Sequence, residues 1–303
     1  MGDSTASGHA AAAVTIVIWG LTYVSTKLLL EDFEPVEILF ARFLIGYAAL
    51  LVACPHVIRE TTLRQELTFA GAGLSGMCLY YLLENVALTY TLASNVGMIA
   101  AVTPFFVAIA MRLLMPGEER LGANFFAGFA VAMAGIFVLS FNGSQLELNP
   151  LGDALALLAA VAWAVYSVLL KRIDSFGFGS IQSTRRMFFY GLLFMLPCLF
   201  LLDNGWNYAA FLEADNLANI LFLGLGACAL CFVSWQHATH VLGAIRTSAY
   251  IYLIPVITVA GSVVILGEPL TALSVLGMAL AFLGLALSED RFIGWIKDKA
   301  RPR

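Results

Sequence analysis

The sequence predicts an all-α polytopic membrane protein whose ten transmembrane helices form two inverted five-helix repeats around a central cavity. Of its 303 residues, 61% are hydrophobic and only 12% are charged, with a mean hydropathy of +0.89. That is more apolar surface than a water-soluble core can hide. The apolar residues gather in ten runs of roughly 20, the length that crosses the hydrocarbon. A stretch in the first run, WGLTYVSTK (residues 19–27), recurs as WAVYSVLLK (163–171), with Trp and Lys eight residues apart in both.

The spans fall near 10–30, 36–54, 67–90, 93–115, 121–141, 151–171, 184–202, 216–239, 243–266 and 270–288. Residues 1–9 hold no Lys or Arg, so the first run reads as a retained helix and not as a cleaved signal peptide. Ala6 stands where myristoylation requires Ser or Thr. Almost only TLA separates the third and fourth spans and only GEP the ninth and tenth, so these helices return in tight hairpins. Basic residues flanking a span stay on the cytoplasmic side. Of the 16 Lys and Arg, fourteen lie in alternate connections or the C-terminal tail, and the opposite connections carry none. Both termini are therefore expected in the cytoplasm. The two left over are Lys27 and Arg42, near the outer ends of the first and second spans.

Laying residues 10–141 over 151–288 superposes Trp19 on Trp163, Lys27 on Lys171 and Arg42 on Arg186 at one offset. Farther along, Ala87 meets Ala238, Ala93 meets Ala244 and Pro104 meets Pro255. Gly117-Glu118 recurs as Gly267-Glu268, and Gly128/Gly135 recurs as Gly277/Gly284. Five helices is an odd number, so the second copy enters the membrane in the opposite sense. Residues 289–303 remain as a basic tail. The two lysines are then one structural position at opposite faces, where each can extend its stem toward the nearest headgroups.

W-x7-K in the first helix of each half, Arg-Phe early in the second, Pro in the fourth and GE after it together resemble the drug/metabolite transporter superfamily. The resemblance covers residues 10–288 and is nearest to EamA-type bacterial exporters, including the branch that handles aromatic amino acids. It implies residence in the bacterial inner membrane and a cavity enclosed by the first, third, fourth, sixth, eighth and ninth helices. In the second half Arg185-Arg186-Met187 stands where Arg42-Phe43 does in the first, so either arginine can be the equivalent.

At about 1.5 Å per residue, Trp19, Tyr80, Tyr81, Pro104, Trp163 and Pro255 lie close to the bilayer centre, the depth at which inverted-repeat transporters bind substrate. Trp and Tyr ordinarily gather at the interfaces, so their presence here suggests a lined cavity, with aromatic packing between helices as the alternative. Trp19 with Tyr23, and Trp163 with Tyr166, each share one helix face. Asn85, Thr103, Gln236, Tyr250 and Tyr252 are polar positions on the helices that the resemblance assigns to the cavity. Pro104 and Pro255 free the carbonyls of Ala100 and Ile251, and each is a candidate hinge or a static kink.

Glu84 is the one acid well inside a span. With Lys27 and Arg42 at similar depth it forms a candidate charge cluster, read either as a structural ion pair or as a site for a proton or a substrate ammonium. Glu118 and Glu268 read as stabilisers of the helix that each begins. The glycine pairs read as close helix packing, within the chain or in a homodimer. Five cysteines lie in or at the end of apolar runs and read as small hydrophobes. Cys228-x-x-Cys231 near His237 and His240 lacks a second ligand pair and reads as packing, so neither metal nor cofactor is expected.

A net charge of -4 offers no field for nucleic acid. No GxxxxGK[ST] segment implies nucleotide hydrolysis, and no nucleophile with a base, or ligand set, lies at depth for an intramembrane enzyme. The expectation is a secondary transporter, monomeric or homodimeric, exporting small organic metabolites with proton coupling as a candidate drive. Amino acids are the first substrate class and lipophilic cations the second, since aromatic faces bind cations. Sugar phosphates rank last, because the cations sit toward the helix ends.

Overall fold

The computed structural model describes residues 5–56, 58–115, 122–140, 150–202, 209–268 and 270–288. The expectations for Gly117-Glu118, the connection before residue 150 and the tail 289–303 lie outside the described residues. Among these residues the regular structure is all helical, in ten long runs, α1 (Thr5–Leu29), α2 (Pro35–Ala53), α3 (63–90), α4 (Ala93–Leu114), α5 (Ala123–Ser140), α6 (Pro150–Asp174), α7 (Ser180–Leu202), α8 (Ala214–Leu242), α9 (Ala244–Leu266) and α10 (Ala272–Ser288), with one short 3₁₀ turn, Ala210–Leu212, before α8. Seven are long and apolar enough to cross a membrane, and α5 and α10 contain shorter apolar stretches, Ala123–Gly135 and Val275–Gly284.

Local chemistry sets the starts. Pro35 occupies the first turn of α2, where its missing N–H costs nothing, and the Glu37 carboxylate accepts the Glu34 N–H at 2.7 Å. Thr62 and Gln65 form a reciprocal capping box that starts α3 four residues before the apolar run.

The first helix of each half leans on the third and fourth helices of the other: α1 packs on α8 and α9, and α6 on α3 and α4. These six helices enclose the centre. Outside them α2 lies against α7 and α8, while α5 pairs with α10. One glycine of each pair, Gly128 and Gly284, meets the other in that last contact. A Cβ on Gly284 would come within 2.5 Å of the Ala132 nitrogen and the Gly128 oxygen, and backbone atoms have no rotamer with which to yield.

Four helices depart from α geometry at matching places. α3 opens into a π turn over Gly73–Leu79 and α8 over Phe222–Leu230, irregularities that recur at functional sites. Both hold a glycine under a crossing helix: a Cβ on Gly73 would meet the Met187 oxygen at 2.6 Å, and one on Gly224 would meet Ile45 at 2.6 Å. α4 and α9 tighten into 3₁₀ turns, Ala100–Val102 and Tyr250–Leu253, immediately before the segments that hold Pro104 and Pro255. Proline withdraws a donor from the α ladder, and the shorter turn reorganises the carbonyls left behind.

The two arginines at the start of α7 take separate partners. Arg185 donates to the carbonyls of Cys54 and His56 beyond the end of α2. Arg186 forms an ion pair with Glu66 of α3 at 2.6 Å. Neither lines the central cavity described below.

Candidate functional site

At the centre of the six-helix ring lies a small cavity of about 20 Å³, room for about one water. α1 lines it with Trp19, Thr22 and Tyr23, α3 with Tyr80, Tyr81 and Glu84, α4 with Ala100 and Thr103, α6 with Trp163, and α9 with Ile251 and Ile254.

The two repeat-related tryptophans meet edge to face, with ring centroids 5.2 Å apart at 90°, a favoured aromatic geometry. Trp19 rests on Trp235 and Phe232 of α8, at 4.9 and 5.6 Å, and donates its indole N–H to the Ala227 carbonyl at 3.0 Å. That acceptor lies in the α8 π turn. Trp163 contacts Tyr80 and Tyr166, each at 4.9 Å, but its Nε1 is buried with no hydrogen-bond partner. Both tryptophans line the cavity and both are packed, at 5% and 3% exposure.

Glu84 is 3% exposed. The hydroxyls of Tyr80 and Tyr23 are polar neighbours of its carboxylate and lie 3.4 Å from each other. Arg42 is the cation that acts on it electrostatically. The Arg42 guanidinium, fully buried, sits 4.4 Å from the Tyr81 ring centroid and donates Nε–H to Cys228 Sγ at 3.3 Å. Its two terminal nitrogens have no hydrogen-bond partner. A cation over an aromatic face in a water-poor interior gains from the ring quadrupole, which accounts for its seat.

Lys27 does not join this cluster. Its Nζ donates to the Leu88 and Thr91 carbonyls at 2.6 and 3.0 Å, the C-terminal end of α3. Glu268 likewise does not serve the helix it precedes; it accepts the Ala93 and Ser94 amides at 3.2 and 3.4 Å, the start of α4. Opposite charges therefore hold both ends of the α3–α4 turn, each matched to the local helix dipole. Breaking either contact, worth about 1 kcal/mol, should shift opening at this end roughly fivefold. Lys27→Met and Glu268→Gln are each expected to speed alkylation of a cysteine placed at Thr22 by that factor. Unchanged rates in both would remove this clamp as a closure of the cavity.

Of the residues expected at the site, Trp19, Tyr23, Tyr80, Tyr81, Thr103, Trp163 and Glu84 come together. The others are engaged elsewhere. Tyr166 lies against Gly76, where a Cβ would meet its ring at 2.4 Å. Asn85 donates to the Pro35 carbonyl at 3.0 Å, and Gln236 accepts from Thr184 at 2.9 Å. The Tyr250 hydroxyl meets His9 Nδ1 at 2.5 Å, and Tyr252 packs on Phe105 at 5.8 Å. Thr22, Ala100, Ile251 and Ile254 were missed. Signals existed: Thr22 lies one turn after Trp19 on the same face, and Ala100 and Ile251 are the residues whose carbonyls the prolines free. Cys228 serves Arg42, while His237 meets Ser7 at 3.2 Å and His240 meets Asp174 at 2.7 Å, so the CxxC and HxxH pairs face different partners.

The EamA-like transporter family matches residues 6–141 and 150–289. Among curated proteins, the chain is 26% identical to a probable terminal-alkyne amino-acid exporter of Streptantibioticus cattleyicolor, over 96% of each chain. It is 26% identical to a probable amino-acid metabolite efflux pump of Salmonella typhimurium, over 93% of this chain and 94% of that one. An uncharacterized transporter of Archaeoglobus fulgidus is 25% identical over 93% and 97%. A solved crystal structure, 21% identical, shares the fold with a TM-score of 0.69 over 94% of this chain and 98% of that chain.

Proposed function

Given that the chain belongs to the EamA-like transporter family, we propose that this membrane transporter exports small organic metabolites, amino acids first among them, across the bacterial cytoplasmic membrane by alternating access. The observation that carries the substrate class is one buried carboxylate, Glu84, set among Tyr23, Tyr80, Tyr81, Trp19 and Trp163 in a central cavity. A carboxylate among aromatic faces suits an ammonium group. The amino-acid export named for two relatives supports the same class. A second reading, export of lipophilic cations, is favoured by the same rings. Sugar phosphates are disfavoured, since Arg42 is committed to Tyr81 and Cys228 and Lys27 to helix-end carbonyls.

Counterflow in proteoliposomes tests this. Preloaded amino acids should accelerate uptake of a labelled amino acid, and a panel of lipophilic cations should not compete. Competition by the cations with no exchange among amino acids selects the second reading. If Glu84 also carries the coupling proton, a pH gradient should drive the wild type and fail to drive Glu84→Gln; equal stimulation of both removes that role.

The same reading puts both termini in the cytoplasm and the 203–215 connection outside, supported by the charge asymmetry of the connections. A single cysteine at Glu213 should then react with an impermeant maleimide in intact cells. Reaction only after permeabilisation reverses the topology.

A further inference from the structure

The two halves diverge where their tryptophans need an acceptor. Trp19 gives its N–H to Ala227 in the α8 π turn. At the offset that relates Ala87 to Ala238, the matching acceptor for Trp163 is the Gly76 carbonyl in the α3 π turn. Trp163 does not take it, and its Nε1 is left buried and unpartnered. Three residues beyond the tryptophan α1 carries Thr22, whose hydroxyl turns back onto the Trp19 carbonyl at 2.7 Å. α6 carries Tyr166 there, and its ring fills the space over Gly76. One difference between the halves thus withholds the internal acceptor from Trp163 and leaves a donor on a residue that lines the cavity. Buried donors are rarely left so.

The opposite need stands on α3. Glu84 is in no ion pair among the described residues, and its polar neighbours are the Tyr23 and Tyr80 hydroxyls. Tyr80 links the two sites, with its hydroxyl at Glu84 and its ring 4.9 Å from Trp163.

We propose that Glu84 and Trp163 are the two poles of one ligand site: Glu84, with the tyrosines, takes the ammonium of an α-amino acid, and the Trp163 N–H donates to its carboxylate. The ligand then lies in a single polarity, ammonium toward α3 and carboxylate toward α6. This rests on the amino-acid reading above. It makes the unpartnered indole a specificity device: a ligand without an acceptor leaves it unsatisfied, as does one without a cation for Glu84.

Binding to purified protein of L-phenylalanine, phenethylamine and 3-phenylpropionate tests the assignment. The wild type should prefer L-phenylalanine over each analogue by roughly 10- to 100-fold, the range for hydrogen bonds to charged groups. Glu84→Gln should lose the preference over 3-phenylpropionate and keep that over phenethylamine. Trp163→Phe should do the reverse. Tyr166→Thr provides a second route that leaves Trp163 in place: with the space over Gly76 cleared, the indole can take the internal acceptor, and the preference over phenethylamine should fall. Equal losses on both analogues in every variant, or none, would overturn the poles while leaving amino-acid binding intact. Failure of the wild type to bind any of the three overturns the amino-acid reading and this assignment together.

Discussion

Arg42→Met is expected to destabilise the protein by roughly 3–5 kcal/mol, the range for leaving an uncompensated charge buried. The guanidinium is fully buried on α2, stacked on Tyr81 of α3 and bonded to Cys228 of α8, so three helices meet on it. It is also the cation that compensates Glu84. Methionine preserves volume and apolar contact but leaves that carboxylate without its countercharge. Adding Glu84→Gln should therefore recover roughly 0.5–3 kcal/mol, the interaction energy of coupled neighbours. Thermal unfolding of the purified single and double variants measures it. Additive losses would show that Arg42 holds the fold through packing alone. Lys27, the other cation of the candidate cluster, differs: Lys27→Met should show no such rescue, because its ammonium is spent on the α3 carbonyls.

The repeat was legible because each half must bury the same face. Tryptophan, lysine and proline recurring in the same order mark the two copies directly, and Trp19 and Trp163 both line the cavity. Less legible was which polar residues face inward. Asn85 and Gln236 sit on lining helices, yet buried amides seek partners: the Asn85 Nδ2 donates to the Pro35 carbonyl and Gln236 accepts from Thr184, away from the cavity. A lysine near a span end looks the same in sequence whether it reaches headgroups, a carboxylate or a helix terminus, and only the packing of the α3–α4 turn beneath it decides. The π turns have no residue code of their own. Gly73 and Gly224 mark them only in retrospect, through the close passage of α7 and α2.

The two tryptophans should respond differently to the same substitution, although they are repeat equivalents of nearly equal burial. Trp19→Ala removes a side chain packed on Trp163, Phe232 and Trp235, and the void should cost about 3–5 kcal/mol. Trp19→Phe fills most of that space but strands the Ala227 carbonyl, a loss of about 1 kcal/mol. Trp163→Phe strands nothing, since the indole N–H it removes has no partner. Its stability should match or exceed that of Trp19→Phe, while its transport falls further. A donor maintained without a structural partner is removed at the expense of function and not of fold. Melting temperatures and counterflow rates of the two phenylalanine variants, measured side by side, decide the matter. If Trp163→Phe melts lower than Trp19→Phe and transports as well as the wild type, the indole belongs to the packing and the cavity does not use it.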